Sequence, residues 1–240
     1  MPTDLFAEAL RQYYRTGKAK LEFERDDGFR DSEDLSWYLS SYPSFPLIEK
    51  QALRFASGHV LDVGCAAGRH ALYLQRRGFA VTGIDSSITL VDLARERGVK
   101  DVRQVDACGR LPFRAGEFDT VVLFGNNLGI CGTLPRFGRM LGELHRITTG
   151  KGRILATTAT PNASDPAWWS YVANNIAKKR PAGQVRMRLL FKGKKGRWFT
   201  LLLFSPTDLL RVASTERWHI THTFPWETFE KGYSVVLEKE

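Results

Sequence analysis

Apolar residues recur along this chain with two different periods, and their order predicts its elements. Short apolar runs at 59–64, 80–84, 102–105, 119–124 and 152–159 read as strands, and helically spaced stretches at 68–77, 87–97 and 134–147 fall between them. In the last stretch Leu134, Phe137, Leu141 and Leu144 share one helical face, and Gly150 and Gly152 supply the turn beyond it. Strands that alternate with helices predict a parallel, helix-flanked sheet, an α/β architecture.

The flanks follow other patterns. Residues 4–15 read as a short amphipathic helix, 24–28 as a charged loop or turn, and 47–56 as a helix leading into the first strand of the sheet. Between them, Trp37 to Pro46 is aromatic with two prolines, which predicts an ordered but irregular cover. After Pro161 the alternation breaks. Trp168, Trp169 and Tyr171 fall in a predicted helix closed by Pro181-Ala182-Gly183. Val185, Met187, Leu189 and Phe191 then alternate with Arg186, Arg188 and Lys192, and the run 198–204 answers them across 193–196 as a β-hairpin. A helix from Pro206 and two strands, 218–224 and 233–237, complete the reading. The expected organisation is one domain over 1–240, with a cover at 1–57, a core at 58–160, an insertion at 161–204 and a closing segment at 205–240.

A chain of 240 residues buries one full core without requiring a second domain. No apolar run reaches membrane-span length, and Asp4, Glu8 and Arg11 interrupt any signal-like core, so a cytoplasmic protein without a membrane partner is expected. Cys65, Cys108 and Cys131 are odd in number and lack metal-type spacing, so neither a disulfide nor a zinc site is expected. The net charge of +9 is local: Lys178, Lys179, Arg180, Arg186, Arg188, Lys192, Lys194, Lys195 and Arg197 equal the whole excess. An anionic substrate, RNA, or a solvated basic hairpin each accounts for that cluster.

The chemistry concentrates in one stretch. Val60 to Val63 is a strand ending near a carboxylate, Asp62, and Gly64-Cys65-Ala66-Ala67-Gly68 is a glycine-bounded turn that opens a helix. Such a turn lets backbone amides approach a ligand closely. Asp85 ends the next strand, about twenty residues on, where an acid accepts from ribose hydroxyls. A dinucleotide would lay a pyrophosphate over this turn, and Asp62 would repel it. An ammonium and a sulfonium would be attracted. Gly-x-Gly-x-x-Gly is also absent, which counts against a dehydrogenase.

The segment resembles motif I of the class I S-adenosylmethionine-dependent methyltransferases, acid-x-Gly-x-Gly-x-Gly; Asp62, Gly64 and Gly68 match it and Ala66 replaces the middle glycine. The resemblance implies a Rossmann-like, mostly parallel seven-stranded sheet with helices on both faces and its last strand antiparallel. It also implies S-adenosyl-L-methionine as cofactor, leaving as S-adenosyl-L-homocysteine. Cysteine and alanine of the turn, Cys65 and Ala66, would line the cofactor with Asp62, Gly64 and Gly68, and Asp85 with Ser86 behind it would hold the ribose. Asp106 and Ala107, after the third strand, fit the adenine position of that family, so three acids fall at three consecutive strand ends. Phe124, Gly125, Asn126 and Asn127 follow the fourth strand, where the resemblance places the methyl acceptor and the cofactor's edge. Gly-Asn-Asn-Leu-Gly there resembles the turn of small-molecule N-methyltransferases.

Absences narrow the acceptor. The Asn/Asp-Pro-Pro-aromatic tetrapeptide of base methyltransferases, the Pro-Cys nucleophile and the metal-binding acid of catechol-type enzymes are missing at this turn, so no metal is expected. His219 and His222 are three apart in a predicted strand and would point to opposite faces. Methyl transfer from a sulfonium needs alignment more than a base. Should a base be required, His70, Tyr38, Glu24 and Asp26 are the candidates, with Asn126 and Asn127 as orienting groups. Trp37, Tyr38, Trp168 and Trp169 either bracket a planar substrate or pack a lid. The expectation is methyl transfer to nitrogen or oxygen of a small molecule; RNA methylation through the basic hairpin and a catalytically silent cofactor-binding protein are the alternatives.

Overall fold

The computed structural model describes residues 3–161 and 165–240; Asn162, Ala163 and Ser164, at the head of the expected insertion, lie outside the described residues. The helices are α1 (Thr3–Thr16), α2 (Leu47–Leu53), α3 (Arg69–Arg76), α4 (Ile88–Glu96), α5 (Leu134–Ile147), α6 (Pro166–Ala177) and α7 (Pro206–Thr215). The strands are β1 (Leu21–Arg25), β2 (Arg30–Glu33), β3 (His59–Val63), β4 (Ala80–Asp85), β5 (Asp101–Gln104), β6 (Phe118–Leu123), β7 (Thr148–Thr158), β8 (Gln184–Phe191), β9 (Lys194–Lys195), β10 (Phe199–Leu202), β11 (Trp218–Trp226) and β12 (Thr228–Lys239).

Seven strands form one sheet in the order β11-β12-β7-β6-β3-β4-β5. β4 runs parallel to β5 and β6 parallel to β7, while β12 is antiparallel to β7 and to β11. This is the helix-flanked sheet expected from the alternation, with the Rossmann-like order and antiparallel finish that the resemblance implies. The buried runs Val121-Val122-Leu123 and Ile154-Leu155-Ala156 are continuous, as strands covered on both faces require.

A second sheet, in the order β10-β8-β1-β2 with β9 on β8, was not anticipated as such. The charged loop expected at 24–28 begins as a strand: β1 pairs with β8 in the register Glu24↔Arg188 and with β2 in the register Glu24↔Arg30. Glu24 carries ion pairs to both arginines, with the Arg188 and Arg30 guanidiniums each on one of its oxygens. Two cross-strand cations make a carboxylate acceptable mid-strand, and neither is a sequence neighbour of Glu24. The hairpin also turns earlier than expected. Lys194 already pairs with Phe191, so Lys192 (φ 49°) and Gly193 (φ 74°) form a two-residue turn with both residues left-handed.

The chain divides into two compact units: Met1–Phe45, Asp62–Ala107 and Arg186–Phe199 form one, and Pro46–Leu61, Cys108–Val185 and Thr200–Glu240 the other. These limits do not follow the expected segment boundaries. In the first unit the apolar face of α1 (Leu5, Ala9, Leu10) packs with Leu90 and Leu93 of α4, Ala67 and Phe191. In the second, Phe137, Leu141 and Leu144 of α5 are buried with Trp218, whose indole N–H donates to the Leu141 carbonyl at 3.1 Å.

One cysteine expectation is corrected. Cys108 and Cys131 form a disulfide, with Cα atoms 5.5 Å apart. They are separated by 23 residues, and sequence spacing carries no information about loops that meet only after folding. Cys65 is free and buried. Among the described residues no helix is long and apolar enough to cross a membrane.

Candidate functional site

In the first unit, the turn after β3 is built by amides converging on the end of β4. The N–H groups of Gly64 and Cys65 both donate to the Ile84 carbonyl, at 2.8 and 3.0 Å, and Gly68 N–H closes onto the Cys65 carbonyl at 2.7 Å. Gly68 stands at φ 77° and precedes α3 as its N-cap; a Cβ there would lie 2.4 Å from a Val99 methyl, so both backbone and packing demand glycine. Ala66, in the place of the family's middle glycine, is left-handed at φ 47°. A non-glycine residue held there costs about 1 kcal/mol.

Asp85 holds that turn. Its Oδ2 accepts from the Ala66 amide at 3.1 Å and its Oδ1 from the Ser87 amide at 2.9 Å. The carboxyl is buried, and loss of water raises it above the ordinary aspartate value, against the lowering effect of the amides of Ser87, Ala66 and Ser86. Asp62 is buried too. One of its oxygens accepts the Ala71 amide at 3.0 Å, serving α3, whose N-cap glycine has no side chain to do so. Burial raises Asp62 as well, opposed chiefly by His70. Cys65 is held as a thiol by burial. Ser86 lies between β4 and α4, its carbonyl accepting from Gln104 at 3.1 Å. Asp106 follows β5 and is exposed, and Ala107 beside it is buried. Helix α4 is capped by Ser87, whose hydroxyl accepts from the Leu90 amide.

The candidate bases of this unit are already engaged. The Tyr38 hydroxyl donates to Glu33 at 2.8 Å, and burial together with Glu33 pushes its ionisation well above the usual tyrosine range. Side-chain bonds from Arg30 and Arg188 hold Glu24 below the usual carboxylate range. Both are poor proton acceptors at neutral pH. His70, the second residue of α3, has Nε2 2.8 Å from an Arg69 nitrogen. The ring also meets the edge of Phe45 at 5.0 Å. Asp26 follows β1, with its amide on the Arg186 carbonyl at 3.0 Å.

In the second unit, the turn after β6 has Gly125 at φ 67° and Asn126 at φ 65°, closed by the Asn127 amide on the Phe124 carbonyl at 3.4 Å. Phe124 is buried. The Gly125 amide donates to Thr157 Oγ1 at 2.8 Å, and Asn126 Oδ1 accepts from the Ala159 amide at 2.6 Å. The Asn126 side-chain oxygen is therefore used on the residue that follows β7. Gly129 ends the short 3-10 turn Asn127–Gly129, where an added Cβ would lie 1.8 Å from the Leu202 carbonyl oxygen. The Cys108–Cys131 disulfide fastens the same stretch to the loop after β5. On α6, Trp168 packs on Tyr171 at 6.3 Å, and Trp169 is 63% exposed.

Sequence reasoning missed Arg69, Arg97, Thr157 and the disulfide, whose partners lie far away in sequence, and Glu33, whose partner Tyr38 is five residues on across the start of a 3-10 turn. No group of three His, Cys, Asp or Glu side chains among the described residues is disposed to hold a metal.

The family model described as a methyltransferase domain matches residues 60–152. The whole chain is similar to a solved SAM-dependent methyltransferase from Bacteroides fragilis in complex with S-adenosyl-L-homocysteine: 26% identity, TM-score 0.83, covering 99% of this chain and 95% of that one. A malonyl-[acyl-carrier protein] O-methyltransferase of Salmonella typhimurium is 35% identical over 107 residues, 44% of this chain and 39% of that protein. A magnesium-protoporphyrin O-methyltransferase of Rhodobacter capsulatus is 32% identical over 118 residues, 46% of this chain and 49% of that protein. The chain thus spans under half the length of these curated relatives.

Proposed function

Because the chain belongs to the class I S-adenosylmethionine-dependent methyltransferases, we propose that it transfers a methyl group from S-adenosyl-L-methionine to nitrogen or oxygen of a small molecule. The carrying observation is Asp85: buried beside the turn after β3, it accepts from the amides of Ala66 and Ser87, with the Ser86 amide also acting on it, and a carboxylate's remaining lone pairs suit ribose hydroxyls. The residues fit the cofactor. Asp62 has an oxygen beyond the one used by Ala71, and its negative charge suits an ammonium and a sulfonium. Gly64, Cys65, Ala66 and Gly68 supply the turn, and Asp106 and Ala107 the adenine side.

The cofactor supplies a methyl group on an already activated leaving group. The chain's own residues bind, orient and exclude water. Tyr38 and Glu24 are tuned away from accepting protons, which suits an acceptor that loses its proton late or carries little basicity demand. Relatives acting as O-methyltransferases support a small-molecule acceptor. RNA is less favoured: Arg186 and Arg188 lie 5.3 and 4.5 Å from the Trp198 ring, taking up the aromatic surface on which a base would stack.

The test incubates the protein with methyl-labelled S-adenosyl-L-methionine and, in parallel, a small-metabolite extract and total RNA. Label in metabolites is expected. Label in RNA alone overturns the substrate class, and tight cofactor binding without transfer to either fraction marks a silent binding protein. Asp85→Asn is expected to weaken cofactor binding about tenfold or more, about 1.4 kcal/mol, by calorimetry; unchanged affinity removes Asp85 from the site.

A further inference from the structure

Two arginines fasten one short stretch of the N-terminal segment to the turn after β3, all within the first unit. Arg97, just past α4, donates from Nη1 to the carbonyls of Ala67 and Tyr38 and from Nη2 to that of Leu39 at 3.0 Å. Arg69, the first residue of α3, donates to the Trp37 carbonyl at 3.1 Å and lies 4.6 Å over the Phe45 ring. Three consecutive carbonyls, those of Trp37, Tyr38 and Leu39, therefore rest on guanidiniums. One of these guanidiniums also holds Ala67, inside the glycine turn.

The stretch has little regular structure of its own. It consists of two 3-10 turns, Leu35–Leu39 and Tyr42–Ser44, and the Trp37 and Ser40 amides reach their acceptors only at 3.3 Å. Such turns open easily unless tertiary contacts hold them. A guanidinium is a rigid planar fork, so a shift of the Ala67 carbonyl is passed to the carbonyls of Tyr38 and Leu39 with little slack. Tyr42, 36% exposed, stacks on Tyr73 of α3 at 4.3 Å, and Trp37 is 39% exposed; both aromatic surfaces depend on this stretch for their position.

We infer that Arg97 is a positioning residue that couples occupancy of the turn at 64–68 to the ordering of residues 35–45, with Arg69 as the second tie. The inference rests on reading that turn as the cofactor site. Its consequence is a binding order: the cofactor settles the turn and the strap first, and the aromatic surfaces of the strap are then set for the acceptor.

Amide hydrogen exchange with S-adenosyl-L-homocysteine as probe tests this. In the unmodified protein the probe is expected to slow exchange about tenfold or more both at 64–72 and at 35–45. In Arg97→Met the protection at 64–72 stays and the ligand-dependent part at 35–45 disappears, with Arg97→Lys intermediate. A merely structural Arg97 would loosen 35–45 equally with and without the probe and leave the ligand-dependent increment intact, which overturns the inference. So does an unmodified protein whose strap ignores the probe. Should Arg97→Met fail to fold, Arg69→Met carries the same test through the second tie. Absence of any calorimetric binding and of protection at 64–72 would instead remove the cofactor reading, and the inference with it.

Discussion

The turn after β3 holds Ala66 at φ 47° and the turn after β6 holds Asn126 at φ 65°, so both put a non-glycine residue in the left-handed region. They differ in what remains afterwards. In the first, a carboxylate from a neighbouring strand, Asp85, secures the backbone and still has acceptor capacity. In the second, the turn's own Asn126 spends its carbonyl oxygen on the Ala159 amide. A carboxylate has about four lone-pair sites and can serve backbone and ligand together. An amide oxygen given to a short backbone bond has less to offer. The first turn therefore shows its chemistry openly, whereas the second reads first as structure.

The largest expected effect concerns how the second turn is fastened. Reducing the Cys108–Cys131 disulfide, or replacing both residues by alanine, should lower stability by about 3 kcal/mol for a loop of this size, measured by urea unfolding. An unchanged midpoint would mean that the close approach of Gly129 to Leu202 fastens the turn alone. Next, Asn126→Ala should cost about 2 kcal/mol, through the orphaned Ala159 amide and the lost left-handed tolerance. Asn126→Asp, which keeps an acceptor, should recover much of it, and equal losses would show that the Ala159 bond does not matter. Smaller again, Ala66→Gly should raise stability by about 0.5–1 kcal/mol by relieving the left-handed alanine, offset by the freer unfolded chain. A drop in melting temperature would contradict that account.

The smallest effect is with pH. Burial raises both Asp62 and Asp85, so each takes up a proton above the ordinary aspartate value of 3.8. The native state then binds protons more tightly than the unfolded chain, so these two groups add stability as pH falls through that raised range and lose it as pH rises. On the proposed site, cofactor affinity should run the other way, because a protonated acid would no longer attract the sulfonium. S-adenosyl-L-methionine should weaken relative to S-adenosyl-L-homocysteine, whose sulfur is neutral, by severalfold as pH falls from neutral into that range. An affinity ratio that does not vary with pH would place the sulfonium away from both acids. Affinity is the better readout, since burial lowers His145 and its protonation below the usual 6.5 destabilises the fold in the same direction of titration.

The seven-stranded sheet was legible because each of its elements declares itself locally. Val121 to Leu123 and the α5 face of Phe137, Leu141 and Leu144 bury what their periodicity says they bury. The second sheet was not, since β1 reads as charged until Arg30 and Arg188 stand on either side of Glu24. In the proposed site the acids and glycines stand out by spacing, but the commitments of Tyr38 to Glu33 and of Asn126 to Ala159 do not.

The sequence by itself determined the strands and helices of the seven-stranded sheet, the glycine turn and the acids at the strand ends, because these depend on periodicity and on residues within a few positions of one another. Tertiary structure alone decided the disulfide, the Arg–Glu–Arg ladder across β2, β1 and β8, and the two arginines on residues 37–40. Each of those pairs groups between roughly six and 164 residues apart, and only the folded chain brings such partners within bonding distance.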